Sequence, residues 1–180
     1  MSSLFGKLFG RKSAAAAPKT PMKKTTKGLI AGSIALTALA TGFIGQWEGR
    51  ELQAYRDIVG VLTICYGDTQ NVAPGQVATP AECDQRLASH LRTYEAGLDR
   101  CLEAPVPGKM KVALVSWTYN VGVGAACSST LVRLPNAGDL TGACEQLPRW
   151  NRAGGKVVRG LTNRRIAERD LCLEGVREGL

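Results

Sequence analysis

The pattern of hydrophobic and polar residues divides the chain into three parts. Residues 1–27 are basic and of low complexity, which predicts a disordered tail. Residues 28–47 form an uncharged run, "GLIAGSIALTALATGFIGQW". As a helix, this run would span about 30 Å, the thickness of a bilayer core. Residues 48–180 alternate apolar stretches with polar turns and predict one compact domain.

The last part predicts a small β element followed by helices, an α+β and mainly helical fold. We expect a short helix from Glu48 to Arg56, and then a strand in "VLTICYG". Thr79-Pro80-Ala81-Glu82 is a capping box that should start a helix ending near Cys101. Three further helices are expected: one through "KMKVALVSWTYNVG", one capped by Asp139, and one over residues 161–176. A turn at 135–138 and a loop in "AGGKVVRG" should separate them.

The uncharged run has the features of an export segment. Lys23, Lys24 and Lys27 precede it, which predicts a cytoplasmic N-terminus and places everything after Trp47 outside the inner membrane. Gly, Ala, Ser and Thr fill eleven of its positions, so it is weakly apolar for an anchor, and such a helix could leave the bilayer. Two alternatives stay open: a buried core helix, and a secretory signal cleaved after Ala38-Leu39-Ala40.

The charge distribution argues against nucleic acid as a partner. The chain carries 23 Lys and Arg, 15 Asp and Glu, and a net charge of +8. Seven of the basic residues and none of the acidic ones precede Glu48, which leaves 16 against 15 in the remainder, or +1. The body of the protein is therefore almost neutral, and the excess charge belongs to the tail.

The interpretation of the six cysteines depends on the cellular compartment in which the protein is located. There is no CxxC pair and His90 is the only histidine, so no metal site or cofactor is expected. Export would predict three disulfides, whereas a cytosolic location would leave six buried thiols. The sequence alone permits fifteen pairings of six cysteines.

The segment from Trp47 to Thr69 contains the candidate chemistry. Glu48 and Asp57 are two carboxylates on different predicted elements, and Thr63 follows six positions later. Glycoside hydrolysis needs such a pair, one group to protonate the leaving oxygen and one to act as a base or nucleophile. Solvent-exposed carboxylates without a catalytic role are the alternative interpretation.

The wider motif "EGRELQAYRDIVGVLTICYG" resembles the phage-lysozyme family, glycoside hydrolase family 24. Members carry a glutamate, eight residues, an aspartate, five residues and a threonine, as Glu48, Asp57 and Thr63 do here. Downstream, "ALVSWTYNVG", "STLVRLPNAGD", "GACEQLPRWNRAGGKVVRGL" and "NRRIAERDLCL" are also similar, so the resemblance covers residues 47–175. It implies a lysozyme-like fold with a small β-hairpin lobe, a helical lobe and an N-terminal hydrophobic anchor helix. One departure is Asp68, which stands where many relatives have histidine.

The resemblance also implies roles for residues. Glu48 would be the general acid, Asp57 the base or electrostatic partner, and Thr63 would help to hold the attacking water. The substrate would be the β-1,4 bond between N-acetylmuramic acid and N-acetylglucosamine in peptidoglycan. Asn120 would contact substrate, and Trp117 would be either a sugar platform or a core residue. For Arg164, Arg165 and Glu168 we expect surface or interlobe ion pairs, and for His90 a surface or packing position.

Residues 28–47 look like the anchor of a signal-anchor-release endolysin, a phage enzyme for host cell lysis. Such a protein is exported uncut and held inactive at the inner membrane, facing the periplasm. It is released as a monomer when a holin or pinholin depolarises the membrane. Met22 is an alternative start.

Related cysteines suggest the disulfides Cys65–Cys83 and Cys144–Cys172, with Cys101–Cys127 as an added pair. A lytic transglycosylase, and an inactive membrane-tethered wall-binding or holin-like protein, are the competing interpretations.

Overall fold

The computed structural model describes residues 26–57 and 59–179, with side chains from residue 36 onward. The fold is α+β and mainly helical, as predicted. The described residues form the helices α1 Thr26–Glu48, α2 Pro80–Asp99, α3 Gly108–Val121, α4 Val123–Cys127, α5 Thr130–Asn136, α6 Leu140–Gln146 and α7 Arg159–Glu178, with a 3-10 turn at Leu147–Arg149. They also form the strands β1 Glu51–Arg56, β2 Leu62–Cys65, β3 Arg152–Ala153 and β4 Lys156–Val157. Residues 1–25 of the predicted tail lie outside the described part, and residues 26 and 27 begin α1.

A β-hairpin forms the small lobe, and here one prediction is wrong. The segment after Glu48 is a strand, not a helix, because α1 ends at Glu48 and Gly49 has a φ of +67°. β1 then pairs antiparallel with β2, with Tyr55 opposite Thr63. The strand predicted in "VLTICYG" is confirmed as β2.

The remaining predicted elements are mostly confirmed, with two local differences. Thr79 and Glu82 form the capping box of α2, and the Asp139 side chain caps α6 by accepting from Gly142 N. The turn predicted at 135–138 is shorter than expected, because α5 continues through Asn136. The predicted "AGGKVVRG" loop contains the β3–β4 hairpin, turned by Gly154 and Gly155 at positive φ.

The main core lies in the helical lobe around α3. From Met110 to Thr118 nearly every side chain of α3 is buried, and α7, α1 and α2 pack around it. Ala40 and Ile44 of α1 are 6% and 0% exposed and belong to this core. The C-terminal half of α1 is therefore an integral part of the folded lobe. Among the described residues, no helix combines the length and apolarity required to cross a membrane.

Three disulfides connect elements of the domain. They are Cys65–Cys83, Cys101–Cys127 and Cys144–Cys172, the pairs suggested by the resemblance. The first joins β2 to α2, the second joins the turn after α2 to α4, and the third joins α6 to α7. The described cysteines include no free thiol.

Asp68 ties the small lobe to α2. Its carboxylate is 6% exposed and accepts hydrogen bonds from Arg86 Nη1 at 2.7 Å and from Gln70 N at 2.9 Å. His90 Nε2 lies 3.5 Å from it, so the half-buried histidine packs beside Asp68. Burial alone would raise the pKa of Asp68, but the bonds from Gln70 and Arg86 and the charge of His90 together lower it.

We expect Asp68→Asn to destabilise the fold at pH 7 by about 1–3 kcal/mol, the usual cost of losing a charge-assisted bond to a buried group. A lowered native pKa contributes stability above the ordinary aspartate value of about 3.9, and this stability is lost as pH falls through the native pKa. Urea unfolding followed by circular dichroism should therefore show the wild type and variant converging in acid. Asp170→Asn, which removes a surface pair with Arg169, is the control and should have little effect. Equal effects of both substitutions at pH 7 would contradict this role.

Candidate active site

Glu48 is the last residue of α1 and faces the helical lobe. Its side chain is 22% exposed, and Oε1 accepts a hydrogen bond from Arg164 Nη1 at 2.6 Å. Arg164 belongs to α7, 116 positions further along the chain. Gly49, with its positive φ, turns the backbone away directly after the glutamate. Glu48 is thus held between the end of one helix and the side chain of another.

A buried polar cluster holds Arg164 in place. Arg164 Nε donates to Glu168 Oε1 at 3.2 Å, and Ser116 Oγ donates to the same oxygen at 2.6 Å. Arg165 Nη2 donates to Glu168 Oε1 at 3.1 Å. Arg165 Nε also lies 2.8 Å from Glu168 Oε2, close enough for an ion pair but not aligned as a hydrogen bond. The Arg164 and Arg165 guanidinium groups therefore share one carboxylate.

Burial governs the protonation of this cluster. Glu168 is 0% exposed, and burial raises its pKa, while the charge of Arg165 and the bond from Ser116 oppose the rise. Burial lowers the pKa of Arg165 to about 10, against the charge of Glu168. Nearby, burial and the charge of Glu48 raise the pKa of Tyr119 to about 12. Tyr119 therefore stays a neutral phenol next to the glutamate.

Asp57 and Thr63 are both fixed by the backbone of Val61. Asp57 Oδ1 accepts from Val59 N at 2.9 Å and from Val61 N at 2.8 Å, across the tight turn between the strands. Thr63, 4% exposed, donates from Oγ1 to Val61 O at 3.1 Å. Within the described part of the chain, both bonds to the Asp57 carboxylate are accepted by Oδ1, and none is found to Oδ2.

The two predicted substrate contacts differ in exposure. Asn120 is exposed, and its Oδ1 accepts from Arg165 Nη2 at 3.3 Å, which connects it to the buried cluster. It lines an open cleft together with Trp150, Arg149 and Arg152. Trp117 is 0% exposed and packs edge to face on Trp150, with ring centroids 5.0 Å apart. The sugar-platform prediction for Trp117 is therefore wrong, because its ring has no exposed face, and Trp117 is a core residue.

Arg164 is the residue that sequence reasoning missed. It was expected in a surface or interlobe ion pair, but it is 5% exposed and contacts the candidate acid directly. In the sequence, Glu168 follows Arg165 by three positions and Arg164 by four, the spacing at which side chains meet on one face of a helix. That spacing indicates local pairing, and only the tertiary fold reveals the contact to Glu48. Within residues 26–57 and 59–179, no three His, Cys, Asp or Glu side chains form a group that could hold a metal ion.

A β-hairpin lobe beside a helical lobe, with a glutamate where they meet, is the architecture of a lysozyme-type glycoside hydrolase. Residues 45–168 match the Phage lysozyme family, and the chain belongs to that family. It is 45% identical over 148 residues to the SAR-endolysin of Bacteriophage PS119, covering 80% of this chain and 89% of the relative. It is 41% identical over 162 residues to the SAR-endolysin of Enterobacteria phage P21, covering 88% and 98%.

A solved structure agrees with this assignment. The endolysin from the Escherichia coli O157:H7 phage FAHEc1 superimposes with a TM-score of 0.66 at 34% identity. The match covers 75% of this chain and 90% of that one. The chain is therefore a lysozyme-type muramidase, and the predicted lysozyme-like fold is confirmed.

We expect Glu168→Gln to destabilise the protein by about 3–5 kcal/mol, since it leaves the buried Arg165 guanidinium without its carboxylate and removes one of the two carboxylates that pair with Arg164. Glu178→Gln is the matched control on the same helix. Glu178 pairs with Lys109 but has a 54% exposed side chain, so its loss should change stability by at most about 1 kcal/mol. Thermal unfolding of both variants measures the difference. Similar melting temperatures for the two would show that the cluster is not a structural requirement.

Proposed function

We propose that Glu48, Asp57 and Thr63 carry out hydrolysis of the β-1,4 bond between N-acetylmuramic acid and N-acetylglucosamine in peptidoglycan. Glu48 protonates the leaving oxygen as general acid. Asp57 acts as base or electrostatic partner through Oδ2, and Thr63 helps to hold the attacking water. The exposed Asn120 contacts the substrate in the adjoining cleft.

The main support for this proposal is that the two carboxylates are held in place by different kinds of group. Glu48 is held by the Arg164 guanidinium, and Asp57 is held by two backbone amides in a separate lobe. Both groups are therefore pre-positioned without being bonded to each other, as acid and base in glycoside hydrolysis must be. A lytic transglycosylase would need one carboxylate only, and the fixed Asp57 would then have no purpose.

Glu48→Gln should fold but lose about 10²–10⁴-fold of its wall-hydrolysing activity, because an amide cannot donate the required proton. Clearing of purified cell walls measures this. Glu51→Gln is the control, since Glu51 lies three residues further on and is exposed in β1. Substantial clearing by Glu48→Gln, at a wild-type melting temperature, would reject the assignment of the acid.

We further propose that the protein is exported uncut and tethered to the inner membrane by residues 28–47. After a holin or pinholin depolarises the membrane, it is released to the periplasm as a monomer. Two SAR-endolysin relatives, aligned over most of their length, support this. The packing of α1 supplies the physical reason for inactivity. Ala40 and Ile44 cannot lie in the bilayer and in the core of the helical lobe at the same time, and Glu48 ends the same helix.

The double substitution Ala38→Leu/Gly42→Leu should prolong the tethered state. Both residues are exposed on docked α1 and no atom lies within 4 Å of a Cβ added at Gly42, so the leucines favour the membrane without obstructing docking. Each central leucine favours insertion by about 0.5 kcal/mol. We expect a larger membrane fraction and delayed lysis after collapse of the proton-motive force. Ala38→Ser/Gly42→Ser should shift both in the opposite direction. Lysis by the leucine variant on the wild-type schedule would contradict release, as would a mature N-terminus near Thr41.

A further inference from the structure

Tyr66 lies where three parts of the molecule meet. It follows β2 directly, three residues after Thr63. Its hydroxyl donates to Asp84 Oδ1 on α2 at 2.7 Å. Arg50, two residues after Glu48, places Nη1 at 3.5 Å from the Tyr66 hydroxyl oxygen and at 3.8 Å from Asp84 Oδ1. One side chain thus connects the small lobe, α2 and the segment that leaves α1.

The ring of Tyr66 also lies directly against α1, at Gly45. A Cβ added to Gly45 would be 3.2 Å from the Tyr66 hydroxyl oxygen and 3.3 Å from two ring carbons, closer than most side chains tolerate. Gly42, one turn earlier on the helix, has no atom within 4 Å of an added Cβ. Glycine disfavours a helix interior, and at position 45 the close approach of Tyr66 accounts for it.

We propose that Tyr66, oriented by Asp84 and seated on Gly45, is a positioning residue that sets Glu48 relative to Asp57 and Thr63. The inference rests on the catalytic roles proposed above. Gly45 lies three residues before Glu48, and Tyr66 lies three residues after Thr63. A change in the distance between the ring and the helix therefore moves the acid relative to the hairpin that carries the other two groups.

The environment of the phenol suits this role. Burial raises the pKa of Tyr66, and the hydrogen bond to Asp84 raises it further. The phenol therefore stays protonated and keeps donating to Asp84 at any pH at which the enzyme would work. The contact between Tyr66 and α1 therefore acts through the position of the ring against Gly45.

Gly45→Ala and Gly42→Ala form a matched pair that tests the contact. Both replace a glycine of the same helix and should favour it equally, but only Gly45→Ala pushes against Tyr66. With full-length protein from the soluble fraction and solubilised peptidoglycan strands, we expect Gly45→Ala to lower kcat by about 10-fold, since even small misplacement of reacting groups is costly. KM and the melting temperature should stay near those of Gly42→Ala.

Tyr66→Phe and Asp84→Ala test the hydrogen bond. Each should lower kcat with little change in KM, and the double variant should be no worse than either one, because both remove the same interaction. Asp84→Asn keeps an acceptor oxygen and should restore most of the activity. A residue with a purely structural role would instead show losses that follow the melting temperature.

The outcomes separate this inference from the function on which it rests. If the wild type does not hydrolyse the strands, or if Glu48→Gln still does, the proposed function is wrong. If both behave as proposed but Gly45→Ala turns over as fast as Gly42→Ala, the positioning role of Tyr66 is wrong. If kcat and the melting temperature of Tyr66→Phe fall together, so that instability accounts for the whole loss of activity, the positioning role of Tyr66 is wrong as well.

Discussion

The ion pair between Arg164 and Glu48 is the interaction on which the arrangement of this protein depends. It joins the end of α1 to α7, near the opposite end of the chain, and it requires a buried cluster behind it. A guanidinium that is almost fully buried is costly unless a carboxylate accompanies it, and Glu168 provides that carboxylate. Ser116 on α3 completes the cluster. The guanidinium that holds the candidate acid is thus set by the helical lobe, whereas Asp57 is held by the turn of the hairpin.

The sequence of α1 has to meet several demands at once. Ile44 must fill the core, Gly45 must admit Tyr66, and Glu48 must end the helix at Arg164. On the proposed mechanism the same residues must also enter a bilayer and leave it. Large apolar residues at every position would favour the membrane too strongly, and polar residues would prevent burial in the core. On that mechanism, the mixture of small residues with a few isoleucines and leucines would suit both environments.

Much of the fold could be predicted from local signals, and the site only in part. The Thr79–Glu82 capping box and the strand after Gly60 are determined within a few residues, so they were found. The sequence predicts a helix where Glu51–Arg56 is a strand, because the composition of this segment suits either state and its pairing with β2 is a tertiary effect. Trp117 illustrates a different limit, since burial depends on α7 and Trp150, which lie far away in sequence. Arg164 was recognisable as a partner of Glu168 but not of Glu48.

On the proposed mechanism, the disulfides would explain how the domain tolerates a helix that is not always in place. The three bridges close loops with sequence separations of 18, 26 and 28 residues, and none of them includes α1. Bridges over such loops stabilise a fold by about 3 kcal/mol each, mainly by restricting the unfolded chain. They connect β2 to α2, the turn after α2 to α4, and α6 to α7, so the hairpin and the helical lobe stay joined without α1. The proposed tethered state would then lack the Ile44 face of the core and the acid, but it would keep a framework on which α1 can dock.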